Sequence, residues 1–181
     1  MTFRTHLAIG ALGAMGFVSV IDLSKADMML ATGLILLGSV LPDIDEPRSF
    51  ISRKFPLISR LTAIFFEHRG PTHFLFIPIL LFMAWVIFGV MACGALGFGI
   101  FMHHIGDMLT PSGICGYFYP FKKRFVMRIL PKNYAIKTGS KLEFSVVLPV
   151  VLALDGALGA KVLGIDIDMA KILDIMSLIG V

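Results

Sequence analysis

Charged residues and cysteines are scarce in this sequence, and each scarcity excludes a class of protein. Only 15% of the 181 residues are charged, 57% are hydrophobic and the mean hydropathy is +0.88, which excludes an ordinary soluble domain. Cys93 and Cys115 form no CxxC pair, so neither a disulfide framework nor a thiolate zinc site is indicated. The sequence also lacks a P-loop and a GxSxG nucleophile elbow, and the missing elbow disfavours covalent serine catalysis.

What the sequence does contain is a series of apolar runs, which cover Leu7 to Ile21, Met28 to Pro42, Phe74 to Met102 and Phe144 to Ala160. The first two hold about fifteen uncharged residues each, about 22 Å of helix, so their flanks must extend them if they cross a hydrocarbon core of about 30 Å. We therefore predict an all-α fold, a membrane bundle of short hydrophobic helices with polar loops on the cytoplasmic side. It is predicted to be a single domain over 1–181, with the motifs in 6–143 and further helices in 144–181.

The longest apolar run, Phe74 to Met102, decides the topology. As a single helix it would measure about 43 Å and place His73 and His103 on opposite faces of the membrane. One of the two basic loops would then lie outside, against the positive-inside bias. We therefore predict a hairpin that bends near Gly89 to Gly94 and brings His73 and His103 together.

Three other segments are predicted from their local patterns. Phe50 to Phe66 mixes bases with large apolar side chains, which is typical of a segment in the headgroup layer. Met108 to Tyr134 is interrupted by proline and glycine and is predicted to be irregular. Ile165 to Leu178 carries a narrow polar stripe on an apolar helix, which is predicted to pack on the bundle or at the interface.

All five histidines and a group of acids stand where these apolar runs begin or end. On a helix, either His103 or His104 can share a face with Asp107, because the spacings are four and three residues. Negative charge crowded beside lipid is costly without a cation nearby. Mixed imidazole and carboxylate ligands suit zinc, or manganese or iron, better than calcium. We therefore predict one metal site with one or two divalent ions, whose candidate ligands are His6, Asp43, His73, His103, His104, Asp107 and Glu143.

The same polar segments also have structural interpretations. Arg48 or Arg69, rather than a metal, can pair with the acids of residues 43–46. Glu143 lies near Lys141 and can form a surface ion pair with it. The bases of the two loops can simply be solvated charges on the cytoplasmic face.

A metal held at such a site lowers the pKa of a bound water and polarises a phosphoryl or carbonyl oxygen, which gives hydrolysis near neutral pH. A side chain that is not a ligand can then act as general base. The candidate catalytic residues are Asp45, Glu46 and His68. The candidate phosphate or substrate contacts are Arg69, Thr110, Lys122, Lys123 and Arg124.

Three motifs together resemble those of a known family. The first is Leu41-Pro-Asp-Ile-Asp-Glu-Pro47 and the second is His68-Arg-Gly-Pro-Thr-His73. The third is His103-His-Ile-Gly-Asp107, followed by Leu109-Thr-Pro-Ser-Gly113. In this order, and after an early His6, they resemble the YdjM-like family of bacterial inner-membrane proteins. The resemblance implies a multi-pass membrane protein with metal-dependent hydrolase activity, and some members of the family are linked to LexA-controlled damage responses. It implicates His6, Asp43, Asp45, His68, His73, His103, His104, Asp107 and Glu143.

A fainter similarity points to the zinc-dependent phospholipases C. His6, Asp43, His73 and the His103 to Asp107 pair follow the first part of the ligand order of those enzymes. The later histidines of that order are absent here, and only Glu143 remains. One or two zinc ions are therefore expected rather than three.

The predicted function is that of a membrane-bound, metal-dependent hydrolase at the cytoplasmic face of the bacterial inner membrane. Its predicted substrate is a phosphoester such as a lipid headgroup or a lipid-linked phosphate, and its predicted partners are membrane lipids and a small-molecule or lipid substrate. Nucleic acid is disfavoured because no recognised nucleic-acid fold accompanies the basic loops. The alternative is a non-catalytic membrane protein with a structural metal site, or a scaffold or metal carrier.

Overall fold

The computed structural model describes residues 1–59, 71–121 and 124–165. The α-helices that lie wholly within these ranges are α1 (Phe3–Val20), α2 (Lys25–Gly38), α3 (Phe50–Lys54), α4 (Phe76–Phe88), α5 (Met91–Met108) and α6 (Leu148–Val162). Short 3₁₀ turns cover Leu41–Asp45 and Pro71–His73, and a π-helical turn, Glu143–Val147, leads into α6. In the described ranges the strands are β1 (Ile114–Cys115) and β2 (Val126–Met127), which pair antiparallel. The predicted all-α bundle is confirmed.

Among the described residues, three segments are long and apolar enough to cross a membrane. They are Phe3–Val20 with 18 residues, Lys25–Asp45 with 21 and Glu143–Val162 with 20. At 1.5 Å per residue they measure about 27–32 Å, which matches a hydrocarbon core of about 30 Å. Flanking residues therefore extend the short apolar runs of the sequence to spanning length.

The predicted hairpin is confirmed, and it consists of α4 and α5. Helix α4 ends at Phe88, and Gly89 follows with φ +71°, a left-handed conformation that glycine adopts without steric cost. Helix α5 begins at Met91 and packs along α4. At Gly97 a Cβ would lie 2.9 Å from Leu81 Cβ, so glycine permits the close approach of the two helices.

Helix α2 packs tightly against α5 because two glycines face the opposite backbone. A Cβ at Gly38 would lie 2.9 Å from the backbone nitrogen of Ile100, and a Cβ at Gly99 would collide with the carbonyl of Ile35. Ile35 is completely buried, within an apolar cluster that also contains Ala14, Phe17, Val18, Ala31 and Ala95. The core thus lies between α1, α2 and α5, and it holds their ends in fixed positions.

The long helices α1, α2, α4, α5 and α6 alternate in direction. One end of each therefore lies at the same face of the bundle, which we call the polar end. The polar end contains the start of α1, the end of α2, the start of α4, the end of α5 and the start of α6. Contacts between distant residues define it: His6 lies 3.3 Å from Asp107, and Thr5 donates a hydrogen bond to Glu143. The polar groups that the sequence places at the edges of apolar runs therefore lie together.

The remaining sequence predictions have mixed outcomes. Of the segment from Phe50 to Phe66, the residues up to Ser59 are described, and Phe55 and Leu57 are exposed, as expected of a surface segment. The segment from Met108 to Tyr134 is irregular apart from the β1–β2 ribbon. The predicted helix from Ile165 to Leu178 lies outside the described residues except for its first residue. The single domain over 1–181 stays a prediction.

Candidate metal centre

His103, in the last turns of α5, is the centre of the polar cluster. It is completely buried, and its Nδ1 lies 2.9 Å from the carbonyl oxygen of Ser39. A carbonyl only accepts hydrogen bonds, so Nδ1 carries the hydrogen and Nε2 of the neutral ring carries a lone pair. Nε2 lies 3.8 Å from both Asp43 Oδ1 and Asp107 Oδ2 and forms no hydrogen bond within the described chain. A lone pair that faces two carboxylates is unfavourable unless a cation lies between them.

His6, in the second turn of α1, stacks on this ring. The two ring centroids are 3.9 Å apart and the planes are inclined by 14°. His6 is completely buried; its Nε2 lies 3.3 Å from Asp107 Oδ1, and its Nδ1 has no hydrogen-bond partner among the described residues. A Cβ at Gly106 would lie 2.9 Å from His6 Nδ1, so this glycine makes room for the ring. The stacking places His6 beside His103 and Asp107, within the group of candidate ligands.

His73, just before α4, completes the group of imidazoles. Its Nε2 lies 3.6 Å from Asp107 Oδ2, while its Nδ1 lies 3.3 Å from Asp45 Oδ2 on the other side of the ring. The same Asp45 oxygen accepts a hydrogen bond of 2.7 Å from Thr72 Oγ1. A carboxylate behind an imidazole, which fixes the tautomer and orientation of the ring, is a common arrangement at metal sites.

Asp107, in the last turn of α5, joins the imidazoles through its two oxygens. Oδ1 lies 2.9 Å from the amino nitrogen of Met1 and 3.3 Å from His6 Nε2. Oδ2 faces His73 and His103. The side chain is 4% exposed, so its charge is held in a medium of low polarity that strengthens its interaction with a cation.

Two sets of three side chains bring their ligand atoms within 4.8 Å of one another. The first set is His6, Asp43 and His103, and the second is His73, His103 and Asp107. Ligand atoms around one zinc ion lie about 3–4 Å apart because each bond is about 2.0–2.2 Å. The nitrogen-to-oxygen distances of 3.3–3.8 Å in this cluster match that separation. The donor set and its buried nitrogens therefore fit a divalent ion of the zinc, manganese or iron type.

His104 points away from these sets. Its Nε2 lies 3.1 Å from the carbonyl oxygen of Thr72, and its ring meets the ring of Tyr117 edge-on at 5.5 Å. Helix spacing allows both histidines near Asp107, but the structure engages His104 with the Thr72 backbone and leaves it outside both sets. The Tyr117 hydroxyl is buried without a hydrogen-bond partner in the described chain, and burial raises the pKa of Tyr117 to about 12.

Glu143 lies at the polar end but is fully occupied by hydrogen bonds. Its Oε1 accepts from Thr2 N at 2.7 Å, Thr2 Oγ1 at 2.9 Å and Thr5 Oγ1 at 2.6 Å, and its Oε2 accepts from Gly139 N at 2.6 Å. These bonds fasten the start of α1 to the loop before α6. Its assignment as a metal ligand stays a prediction, and it belongs to neither of the two converging sets.

A cavity of about 810 Å³ opens onto the cluster. Asp43, His73 and Asp107 line it together with Glu46, whereas Asp45 does not reach its wall. Its lining also includes arginines that the sequence analysis did not assign to substrate, namely Arg4, Arg48 and Arg53. Arg4 lies in the first turn of a candidate span and the other two follow the acidic motif, which is the signal that could have identified them.

The remaining candidate residues are placed as follows. Thr110 is buried and its Oγ1 donates a hydrogen bond of 2.7 Å to the carbonyl oxygen of Asp107, at the end of α5. Arg124 is exposed and does not line the cavity. His68, Arg69, Lys122 and Lys123 lie outside the described residues, so their roles stay predictions.

Comparisons with known proteins extend the motif resemblance to most of the chain. The family model described as YdjM inner membrane protein matches residues 1–162. The inner membrane protein YdjM of Escherichia coli (strain K12) is 33% identical over 116 residues, which cover 60% of this chain and 58% of that protein, and the YdjM protein of Shigella flexneri gives the same figures. The uncharacterized protein YvsG of Bacillus subtilis (strain 168) is 30% identical over 116 residues, which cover 63% of this chain and 71% of that protein. No solved structure matches.

Proposed function

Because the chain belongs to the family of YdjM inner membrane proteins, and because its buried imidazoles converge with carboxylates at the polar end, we propose that it is a metal-dependent hydrolase that cleaves a phosphoester at the membrane surface. The observation that carries this proposal is the environment of His103. Ser39 holds its Nδ1–H, so Nε2 directs a lone pair toward Asp43 and Asp107 with no hydrogen between them. A cation is the group that this arrangement accommodates best.

The proposed site holds one ion. Both converging sets include His103, and with Nδ1 engaged by Ser39, Nε2 is the single nitrogen that this ring can offer. One imidazole nitrogen binds one metal ion, so the two sets are parts of one coordination sphere rather than two separate sites. His6, His73 and His103 would supply nitrogen, and Asp43 and Asp107 would supply oxygen, a mixture that suits zinc most and manganese or iron next.

A divalent ion held by these ligands supplies Lewis acidity toward a phosphoryl oxygen and lowers the pKa of a coordinated water. The chain itself supplies orientation and a proton acceptor. Asp45 and Thr72 orient His73 from the side that faces away from Asp107. Glu46 lines the cavity and lies outside both ligand sets, so we assign it as the general base that takes the proton of the attacking water. In this assignment Asp45 is a positioning residue.

We place the site at the cytoplasmic face. The loops at the polar end are basic. Among the described residues their lysines and arginines are Arg48, Arg53, Lys54, Arg124, Arg128, Lys132, Lys137 and Lys141. The opposite end of the bundle carries Lys25 and Lys161 at helix ends. The positive-inside bias therefore favours a polar end that faces the cytoplasm.

The test is metal analysis and hydrolysis with the full chain purified in detergent. We expect about one equivalent of zinc, manganese or iron per chain, and cleavage of p-nitrophenyl phosphate or bis(p-nitrophenyl) phosphate after the metal is supplied. Glu46→Gln should keep the metal and lose turnover by about a hundredfold or more, whereas Asp43→Asn should weaken metal binding. The matched control is Asp22→Asn, in the exposed loop between α1 and α2.

Two results would overturn the proposal. Less than about a tenth of an equivalent of metal, with no hydrolysis after addition of zinc or manganese, would exclude a metal-dependent enzyme. A full equivalent of metal without hydrolysis, with equal stability losses in every ligand variant, would indicate the structural metal site instead. The cavity that reaches Asp43, His73 and Asp107 favours catalysis over that alternative, because a purely structural site needs no access for substrate.

A further inference from the structure

Three arginines in the cavity above the candidate metal centre have no anionic partner among the described residues. Arg4, Arg48 and Arg53 line it and are exposed, and within residues 1–59, 71–121 and 124–165 none of their guanidinium groups forms an ion pair. The lining also holds three acids, Asp43, Glu46 and Asp107, of which Asp43 and Asp107 face the metal position, so a bound divalent ion would leave the cavity with net positive charge. Guanidinium groups bind phosphate oxygens in a bidentate geometry that few other side chains match. The charge of this cavity therefore favours an anionic ligand with phosphate oxygens.

A second side of the same cavity is aromatic. Phe3 and Phe50 contact each other with ring centroids 4.4 Å apart, and Phe144 also lines the cavity. Phe50 is 43% exposed and Phe144 is 42% exposed, so both rings remain open to a ligand. A soluble phosphate compound would gain nothing from them, whereas a hydrocarbon chain would bury apolar surface against them.

The aromatic side of the cavity also continues into the surface that faces lipid. Phe3 is the first residue of one candidate span, and Phe144 is the second residue of another. Helix α6, which follows Phe144, packs against α1 on one side and exposes Val150, Leu152 and Leu154 elsewhere. A ligand whose phosphate lies among the arginines can therefore extend an acyl or prenyl chain past Phe144 into the bilayer.

We propose that this cavity binds an amphiphilic phosphoester, with Arg4, Arg48 and Arg53 contacting the phosphate and Phe3, Phe50 and Phe144 contacting the first part of the hydrocarbon chain. This inference rests on the proposed hydrolase function, because it names the substrate class of that site. It assigns substrate selection to two groups of side chains that are separate from the metal ligands. The cavity, at about 810 Å³, has room for a headgroup and the beginning of a chain.

The test measures binding without turnover, in detergent, on the full chain. The probe is a dioctanoyl phosphatidic acid in which a phosphonate replaces the ester, and the comparison ligands are glycerol 3-phosphate and dioctanoylglycerol. Wild-type protein should bind the phosphonate probe at least about tenfold more tightly than either comparison ligand, because only the probe occupies both sides of the cavity. The titration is repeated after chelation of metal, since the arginine contacts do not require the ion.

The variants separate the two sides of the cavity. Arg53→Gln or Arg48→Gln should weaken binding of the probe about tenfold, with or without metal, because each removes a charged contact to phosphate. Phe144→Ala should weaken binding of the probe but not of glycerol 3-phosphate. The control is Lys132→Gln, which removes an exposed positive charge outside the cavity and should bind as the wild type does.

Several results would overturn this inference. Wild-type affinity in both the Arg48→Gln and Arg53→Gln variants would exclude the arginine contacts, and equal affinity for glycerol 3-phosphate and the probe would exclude the hydrocarbon contacts. A loss in Lys132→Gln as large as in Arg53→Gln would indicate attraction to surface charge alone. Arginine-dependent binding of the probe by a protein that holds no metal and hydrolyses nothing would support this inference while contradicting the proposed hydrolase, so the two can fail separately.

Discussion

The Asp43→Asn variant distinguishes a metal ligand from an acid that only supports the fold. Asp43 follows α2 in the 3₁₀ turn, lines the cavity and has a side chain that is 19% exposed. Asparagine keeps its volume, so the packing around it is preserved. The substitution removes one negative charge that lies 3.8 Å from His103 Nε2, and it leaves the other ligands in place.

The expected magnitude follows from ligand linkage. Metal at a hundred times its Kd stabilises the folded chain by about 2.7 kcal/mol. Loss of one ligand should weaken metal binding by the 10–100-fold that outer-shell partners contribute or more, and at the same metal concentration a loss of that size removes about 1.3–2.3 kcal/mol of that stabilisation. For a chain of this size the Tm of the metal-loaded protein should fall by about 3–9 °C.

The loss of Tm in the Asp43→Asn variant should disappear or reverse when the metal is removed. Without a cation, Asp43 and Asp107 are two buried or partly buried carboxylates on either side of one imidazole, and they repel each other. Asp43→Asn relieves that repulsion, so the Tm of the chelated variant should equal or exceed that of chelated wild type. Thermal unfolding of both proteins in detergent, with and without zinc, measures the difference. An equal loss of Tm in both conditions would refute the metal assignment, and Asp22→Asn is the control that should change neither Tm.

Two further predictions concern the scaffold. Glu143→Gln should lower stability by about 2–4 kcal/mol, because its carboxylate accepts four hydrogen bonds and the new NH₂ group would face another donor, Gly139 N. The loss should be the same with and without zinc in thermal unfolding, and a loss seen only with zinc would make Glu143 a ligand. Gly99→Ala should cost about 1–3 kcal/mol, because its Cβ would collide with the Ile35 carbonyl. Gly33→Ala is the matched control: its Cβ meets nothing within 4 Å, so the substitution should be neutral or slightly stabilising, and equal effects at the two glycines would contradict the proposed packing of α2 on α5.

The overall topology could be predicted because it follows from simple constraints. The apolar run from Phe74 to Met102 is too long for one span between two basic loops, and glycine provides the bend, so the approach of His73 to His103 follows from length and charge. The structure confirms this approach, with the two rings 5.3 Å apart. The gathering of polar groups at one end follows from the same alternation of helix directions.

The details of the site depend on contacts between distant residues, which the sequence could not reveal. Spacing along the chain allows either His103 or His104 to meet Asp107, and the carbonyl of Ser39, the C-cap of α2 and 64 positions from His103, engages His103. Glu143 is a residue type that often binds metal, yet its carboxylate accepts a hydrogen bond from Thr5, 138 positions away. Local pattern cannot identify such partners, because tertiary packing alone brings them together.

The position of the cluster at helix ends reconciles two demands that conflict inside a membrane. Metal ligands must be held rigidly, and α1 and α5 hold His6 and His103 on regular helix next to the packed core. Charged carboxylates are costly at the centre of a bilayer, and in this protein Asp43 lies at the end of the candidate span Lys25–Asp45 and Asp107 lies in the last turn of α5. The same placement opens the cluster to a cavity with both arginine and phenylalanine in its wall. A site at the middle of these helices would be as rigid, but it could reach neither water nor the phosphate of a lipid, and the proposed hydrolysis requires both.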